Sequence, residues 1–255
     1  MGSQLIKDKQ QSFTSGDVSS QGAAQSEYAP KVQSMQEYYH HGTIVVKIGG
    51  STLSNDDTAF QDLVSLQCQG INSIVVHGGG KVITEWMGKQ GVRPKFVRGL
   101  RVTDPPSMEI VVAVLTGLIN KTLVASLAAA GGNAIGISGA DGGMLQAQIK
   151  EPELGLVGKI VKVNPEPIKA VLAAGCIPVI APVAVDISNV LSPSDSFLNV
   201  NADTVAGEIA VAFGAKRLVL LTDVEGVLDS SKRVIPRLTR RQAMGLMRSN
   251  LVDGG

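Results

Sequence analysis

Only two cysteines, one tryptophan and 4% aromatic residues occur in the 255-residue chain, and neither sign of charge is in excess. Cys68 and Cys176 each stand alone, with no CxxC spacing, so neither a disulfide framework nor a thiolate metal site is expected and a reducing compartment is. The 23 Lys+Arg almost cancel the 22 Asp+Glu, leaving a formal net charge of +1. A polyanion binder needs a surplus of clustered cations, so nucleic acid is not an expected partner. The first residues lack the apolar core of a signal peptide, and Asp8, Asp17 and Glu27 break the acid-poor pattern of a transit peptide. The uncharged stretch 171–185 carries Pro178 and Pro182 and falls short of the roughly twenty residues that cross a bilayer. No membrane span is expected, and a cytoplasmic location follows by elimination.

What is present is a large apolar fraction, 44%, against 18% charged residues. A chain of this length and composition buries a sizeable core in one large or two modest lobes, which rules out a disordered, coiled-coil or collagenous bulk. Residues 1–28 are the exception: rich in Ser, Gln and Gly and poor in bulky apolar side chains, they read as a disordered tail. Over 28–39, Val32, Met35, Tyr38 and Tyr39 recur at helical spacing, giving a short amphipathic helix that packs either on its own domain or on a partner chain.

After Gly42 short apolar runs alternate with Gly-rich turns and longer helical segments, the pattern of an α/β fold with a mostly parallel sheet. Strands are expected at 43–47, 73–77, 134–137, 177–180 and 217–221, because these runs are β-branched or apolar and several lead straight into glycine. Helices are expected at 56–69, after an Asn55 cap, at 105–130, 165–174 and 201–213. The stretch 147–163, interrupted by Pro152 and Gly155, reads as a hairpin inserted between the third and fourth strands.

Five segments carry candidate chemistry. In the first, Lys47 ends a buried strand and is followed at once by Gly49, Gly50 and Ser51. Open α/β sheets bind ligands at the carboxyl ends of their strands, and glycines let main-chain N–H groups approach an anion, so this is either a phosphate cradle or a tight turn beside a snorkelling lysine. In the second, His77 leads into Gly78, Gly79 and Gly80 at a helix start, which presents successive N–H donors to a carboxylate or phosphate. Neither GxxxxGK[ST] nor GxGxxG is matched, which disfavours a P-loop ATPase or a dinucleotide enzyme; His77 taken alone reads as a structural histidine. In the third, Arg98 and Arg101 precede a helix, and each is either a two-point clamp for a carboxylate or half of a surface ion pair. In the fourth, Asn199 and Asp203 flank a helix start and both can face one site, while Asn201 or Asp203 can instead cap that helix. The last, Asp223, Val224, Glu225, Gly226, Val227 and Leu228, follows an apolar strand and suits a nucleotide-contacting loop. No Ser-His-Asp, metal or flavin pattern accompanies them, and phosphoryl transfer fits an inventory of cations and main-chain donors.

The ordered series VVKIGGS, VHGGGK, GLRVTD, INKTLV, PVIAP, NVNADTVAGEIA and LLTDVEGVL, running from about Thr43 to the last residue, resembles the amino-acid-kinase family, and within it the members that phosphorylate N-acetyl-L-glutamate. The resemblance implies a three-layer α/β/α sandwich with two lobes, 43–214 for the acyl amino acid and 215–255 as part of the ATP lobe, with 29–42 as an N-terminal helix and linker. It implies transfer of the γ-phosphoryl group of ATP to the side-chain carboxylate of acetylglutamate in arginine biosynthesis. Lys47 then neutralises the transferring phosphoryl and Asp203 organises the catalytic lysines. Gly49, Gly50 and Ser51 serve the phosphates, Gly79, Gly80, Arg101 and Asn199 bind acetylglutamate, and Asp223 to Leu228 contact the nucleotide. ATP enters with Mg²⁺, held by nucleotide oxygens rather than by a protein cage. A homodimer or hexamer and a nitrogen-signalling regulatory protein are the partners implied.

The sequence departs from the family pattern at its end, where a Gly-Met-Ile-x-Lys segment supplying a second phosphoryl-stabilising cation is expected after Gly255. A preorganised cation is worth on the order of a thousandfold in rate, so the 255 residues are expected to turn over weakly or not at all. Two rival expectations accompany this one. The first is another kinase of the same fold, acting on carrier-bound aminoadipate, aspartate, glutamate, UMP or carbamate. The second is a non-catalytic protein that binds acetylglutamate or arginine as a regulator.

Overall fold

The computed structural model describes residues 42–49, 58–188, 196–229 and 231–248. The expected tail over 1–28, the helix over 28–39, Gly50, Ser51, the Asn55 cap and the final 251–255 lie outside the described residues. In chain order the elements are β1 (Ile44–Ile48), α1 (Ala59–Cys68), β2 (Ser73–His77), α2 (Gly80–Lys89), β3 (Lys95–Val97), β4 (Leu100–Val102), α3 (Pro105–Val112), a π-helical segment (Ala113–Ile119) and α4 (Asn120–Ala129). Then come β5 (Ala134–Ser138), β6 (Leu145–Ile149), β7 (Gly158–Val163), α5 (Glu166–Ala173), β8 (Ile177–Ala181), β9 (Val183–Asp186), β10 (Phe197–Asn199), α6 (Ala202–Ala212), β11 (Arg217–Leu221) and α7 (Arg240–Arg248).

The five runs read as parallel strands form one sheet, in the order β11-β1-β2-β8-β5, with every neighbouring pair parallel. Side chains alternate faces along a strand, and the two sets separate cleanly here. Val46, Ile48, Val75 and Val179 pack with Leu63, Ile83, Met87, Leu115, Leu123 and Leu127 from α1 to α4. Val45, Ile74, Val76 and Ile180 pack on the other face with Ile168 and Leu172 of α5 and Val205, Ala206 and Ile209 of α6. Helices thus cover both faces, the three layers of an α/β/α sandwich. The sheet is less covered at its edge: along the apolar strand β11, Leu218, Val219 and Leu220 are 42%, 36% and 49% exposed.

The hairpin expected over 147–163 is β6 and β7, antiparallel with a bulge at Gln146/Ala147, and it belongs to a second sheet ordered β10-β9-β6-β7. Its tip is tied down. Thr103 N donates to Leu154 O (2.9 Å), Leu156 N to Thr103 O (2.7 Å) and Asn199 N to Leu156 O (2.9 Å), so 154–157 forms a strap between the ends of β4 and β10. Gly155 sits at φ +65°, and a Cβ built there runs into the main chain of Thr103. Gly155→Ala is therefore expected to cost about 1–2 kcal/mol, from a left-handed backbone and displacement of the strap, read as a lowered thermal midpoint.

The helix expected at 105–130 is continuous but not uniform. Asp104 caps it, accepting from Ser107 N at 2.9 Å, and these Ser107 hydrogen bonds hold its carboxyl below the usual range. The π-helical turns over Ala113–Ile119 were not legible as a periodicity. By length and composition 105–129 is long and apolar enough to cross a membrane, a helix that the reading of 171–185 overlooked. Here it is a core helix, with Ile110, Val111, Val114, Leu115, Ile119, Leu123 and Leu127 all buried against the sheet layer.

Candidate active site

Lys47 shares a strand face with Val45, the face covered by α6, so its side chain runs toward the first turn of that helix. There Lys47 Nζ meets Asp203 Oδ1 at 3.0 Å, the lysine side chain 15% exposed. The capping ambiguity resolves in favour of Asn201, whose Oδ1 accepts from Thr204 N at 2.9 Å, leaving the Asp203 carboxylate to the lysine. Asp203 also stands in the first turn, where the helix dipole favours an anion.

The glycine loop leaves β2 next to β1. Gly78 N donates to Ile48 O (2.9 Å), and Gly79 lies so close to the π-helical segment that a Cβ would strike Ile119 and Leu115. Helix α2 begins at Gly80, and its first-turn amides have no acceptor within the helix. Beneath the loop, His77 is 1% exposed. Its Nδ1 lies 3.0 Å from Gly78 O and its Nε2 3.2 Å from Asn120 Nδ2, which also donates to Val179 O at 2.9 Å. These partners fit a neutral ring with Nδ1 protonated. Burial is the main reason that the His77 pKa falls from 6.5 to about 4, assisted by the nearby Lys121 charge and opposed by the Gly78 bond. His77 is thus a positioning group for the loop, as its isolation in sequence suggested.

The two arginines part company. Arg98, at φ +49° in the turn joining β3 and β4, pairs with Glu151 and Glu153 on the hairpin tip, the surface ion-pair alternative. Arg101 is 8% exposed. It donates to Gly80 O (2.9 Å), Thr84 Oγ1 (2.6 Å) and Met87 Sδ (3.0 Å), and its Cζ lies 4.8 Å from the centre of the Phe96 ring. All of these partners are neutral, and desolvation lowers the guanidinium pKa from its ordinary value.

Lys47, Gly79, Gly80, Arg101, Asn199 and Asp203 together line one cavity of about 260 Å³ off the carboxyl ends of β1 and β2. Two cations, one of them already paired with Asp203, converge there with main-chain donors and an amide. A hollow of similar size, about 270 Å³, opens by Lys121, Ser138 and Asp141, but none of the sequence-derived candidates lines it. Gly49 is placed differently from expectation: its N–H donates to Leu221 O at 3.1 Å, extending the β1–β11 pairing instead of facing an anion. The loop from Asp223 to Leu228 does not line the cavity either. It leaves the sheet at the same carboxyl edge, since Ile48 pairs with Leu221, and exposes Val224, Val227 and Leu228. Sequence reasoning missed Phe96, Thr84 and Asn120, whose roles arise only from contacts across 5 to 59 positions.

A parallel sheet with helices on both faces, which brings a lysine and a glycine loop from its carboxyl edge to one cavity with a desolvated arginine of β4, defines a three-layer α/β protein. The amino acid kinase family matches residues 42–255, and the chain belongs to that family. It is 44% identical over 220 residues to an acetylglutamate kinase of Synechococcus sp., covering 84% of this chain and 71% of that protein. Acetylglutamate kinase of Acaryochloris marina is 41% identical over 237 residues, covering 90% and 80%. Among solved structures, smu.665 from Streptococcus mutans UA159 superposes with a TM-score of 0.75 at 29% identity, over 84% of this chain and 86% of that one. An N-acetylglutamate synthase from Neisseria gonorrhoeae, complexed with coenzyme A and N-acetyl-glutamate, shares the fold with a TM-score of 0.68 at 22% identity, over 84% and 50%.

Proposed function

We propose that the chain is a kinase that transfers the γ-phosphoryl group of ATP to the side-chain carboxylate of N-acetyl-L-glutamate, as its relatives' names indicate for them. A carboxylate oxygen attacks the γ-phosphorus, the bond to the β,γ-bridging oxygen breaks, and ADP leaves as the acyl phosphate forms. Such a reaction needs charge neutralisation and alignment more than covalent help from the protein. Lys47, held at the strand tip by Asp203, supplies a cation to the transferring group. Gly79, Gly80, Arg101 and Asn199 hold the acyl amino acid. Within the phosphate loop the amide role falls to residues after Gly49, whose own N–H is engaged by Leu221.

The observation that carries the reading is Arg101, a desolvated cation whose described partners are all neutral, in the cavity that Lys47 also lines. A buried charge is costly until it is paired, and a substrate carboxylate completes the pairing. Calorimetric titration of the chain with acetylglutamate tests this. Arg101→Met is expected to weaken binding about thirtyfold, the worth of a charge-assisted pair; unchanged affinity would remove Arg101 from the substrate site.

Residues 43–214 on this reading house the acyl substrate and 215–255, with Asp223 to Leu228, part of the nucleotide site. On the same reading Mg²⁺ enters with ATP, bound by phosphate oxygens. The proposal extends to the cytoplasm, to arginine biosynthesis, and to a homodimer or hexamer with a nitrogen-signalling regulatory protein as partner. Exposed Leu118 and Ile135, the latter on edge strand β5, offer apolar surface for self-association.

A further inference from the structure

Asn199 approaches the cavity from β10, and the state of its amide depends on a residue almost a hundred positions earlier. Thr103 is fully buried, at 0% exposure, just beyond β4. Its hydroxyl donates to Arg101 O at 3.4 Å, and with its only proton so directed it accepts from Asn199 Nδ2 at 3.2 Å. The main chain of the same residue is paired on both sides with the strap, through Leu154 O and Leu156 N, and the strap in turn accepts from Asn199 N. Thr103 therefore has no freedom to follow Asn199; the amide must conform to it.

We propose that Thr103 is a positioning residue for substrate binding: by accepting one Nδ2 proton it fixes which way the Asn199 amide faces. The second Nδ2 proton and Oδ1 are left for the ligand, on the wall shared with Arg101. Without the hydroxyl the amide turns freely, and its donor is presented to the cavity only part of the time. This deepens the acetylglutamate reading and rests on it for the identity of the ligand. Thr103 does not line the cavity, so its effect on the acyl amino acid passes through Asn199.

The test compares Thr103→Val, which keeps the shape and removes the hydroxyl, with Thr103→Ser, which keeps the hydroxyl. Acetylglutamate affinity is measured by calorimetry, and the Asn199 side-chain amide is followed by ¹⁵N–¹H NMR. T103V is expected to weaken acetylglutamate binding about tenfold, leave nucleotide binding within twofold and shift the Asn199 amide protons, while T103S stays within twofold on every readout. Equal acetylglutamate affinity of T103V and the unaltered chain overturns the inference. If the unaltered chain binds no acetylglutamate, the functional reading fails instead, and the inference is then decided by NMR: shifted Asn199 protons in T103V uphold it and unmoved ones overturn it. Should T103V fold poorly, Thr103→Ala, which leaves the main-chain strap intact, replaces it on the same readouts.

Discussion

Replacing Lys47 by methionine is expected to slow phosphoryl transfer on the order of a thousandfold while changing acetylglutamate affinity by less than about threefold. The reasoning begins with strand geometry. Lys47, like Val45, turns from β1 toward α6, and Asp203 receives its ammonium at 3.0 Å before any ligand arrives. A cation held in this way needs little reorganisation when charge shifts from the carboxylate to the departing phosphate, so its removal falls on the transition state rather than on substrate binding. Methionine retains the length of the stem and leaves Asp203 to be hydrated, since that carboxylate is 41% exposed. Single-turnover trapping of the acyl phosphate with hydroxylamine gives the rate, and calorimetry gives the affinity. A rate within tenfold of the unaltered chain would detach Lys47 from the chemistry.

Acid is expected to destabilise the protein in a window set by His77. In the native state this imidazole stays neutral until about pH 4, whereas an unfolded chain takes up the proton near 6.5. Between those values only the unfolded state is protonated, so stability is full above 6.5 and declines as pH falls toward 4. At ~1.4 kcal/mol per pH unit over that interval the loss comes to about 3 kcal/mol, a large part of the ~5–15 kcal/mol that typically holds a domain together. Asp104 and Asp229, both held below the ordinary carboxylate range by hydrogen bonds, lose their contributions only at lower pH, which keeps the two effects apart. Urea midpoints at several pH values check this. His77→Gln is expected to flatten the curve between 6.5 and 4; an equally steep decline in that variant would assign the acid sensitivity elsewhere.

Local pattern carried much of this structure, and contacts between distant positions carried the rest. The strands at 73–77 and 217–221 coincide with β2 and β11, because a β-branched run bounded by a turn depends on nothing remote. For the same reason Lys47, Gly79, Gly80, Arg101, Asn199 and Asp203 could be picked out: each sits at a strand end or helix start. Local pattern left Arg98 and Arg101 equivalent and only the family resemblance favoured Arg101; what separates them in the fold is a pair of acids on a hairpin more than fifty residues after Arg98. Nor could local pattern show the strap or the His77–Asn120 bond, made between segments more than forty residues apart in the sequence. The exposure of β11 was illegible for another reason: composition signals apolar character, while exposure depends on what lies beside the strand.

The strap at 154–157 divides labour within the cavity. The lysine and the glycine loop ride on the parallel sheet, whereas Arg101 and Asn199 hang from the antiparallel β3-β4 pair and the mixed four-stranded sheet, which are stitched together at the hairpin tip. Insertions or exchanges in that hairpin can reshape the wall that carries Arg101 and Asn199 without disturbing the strand that carries Lys47. Diversification of substrate choice across descendants of such an ancestor would then proceed by tailoring one appendage on an unaltered engine.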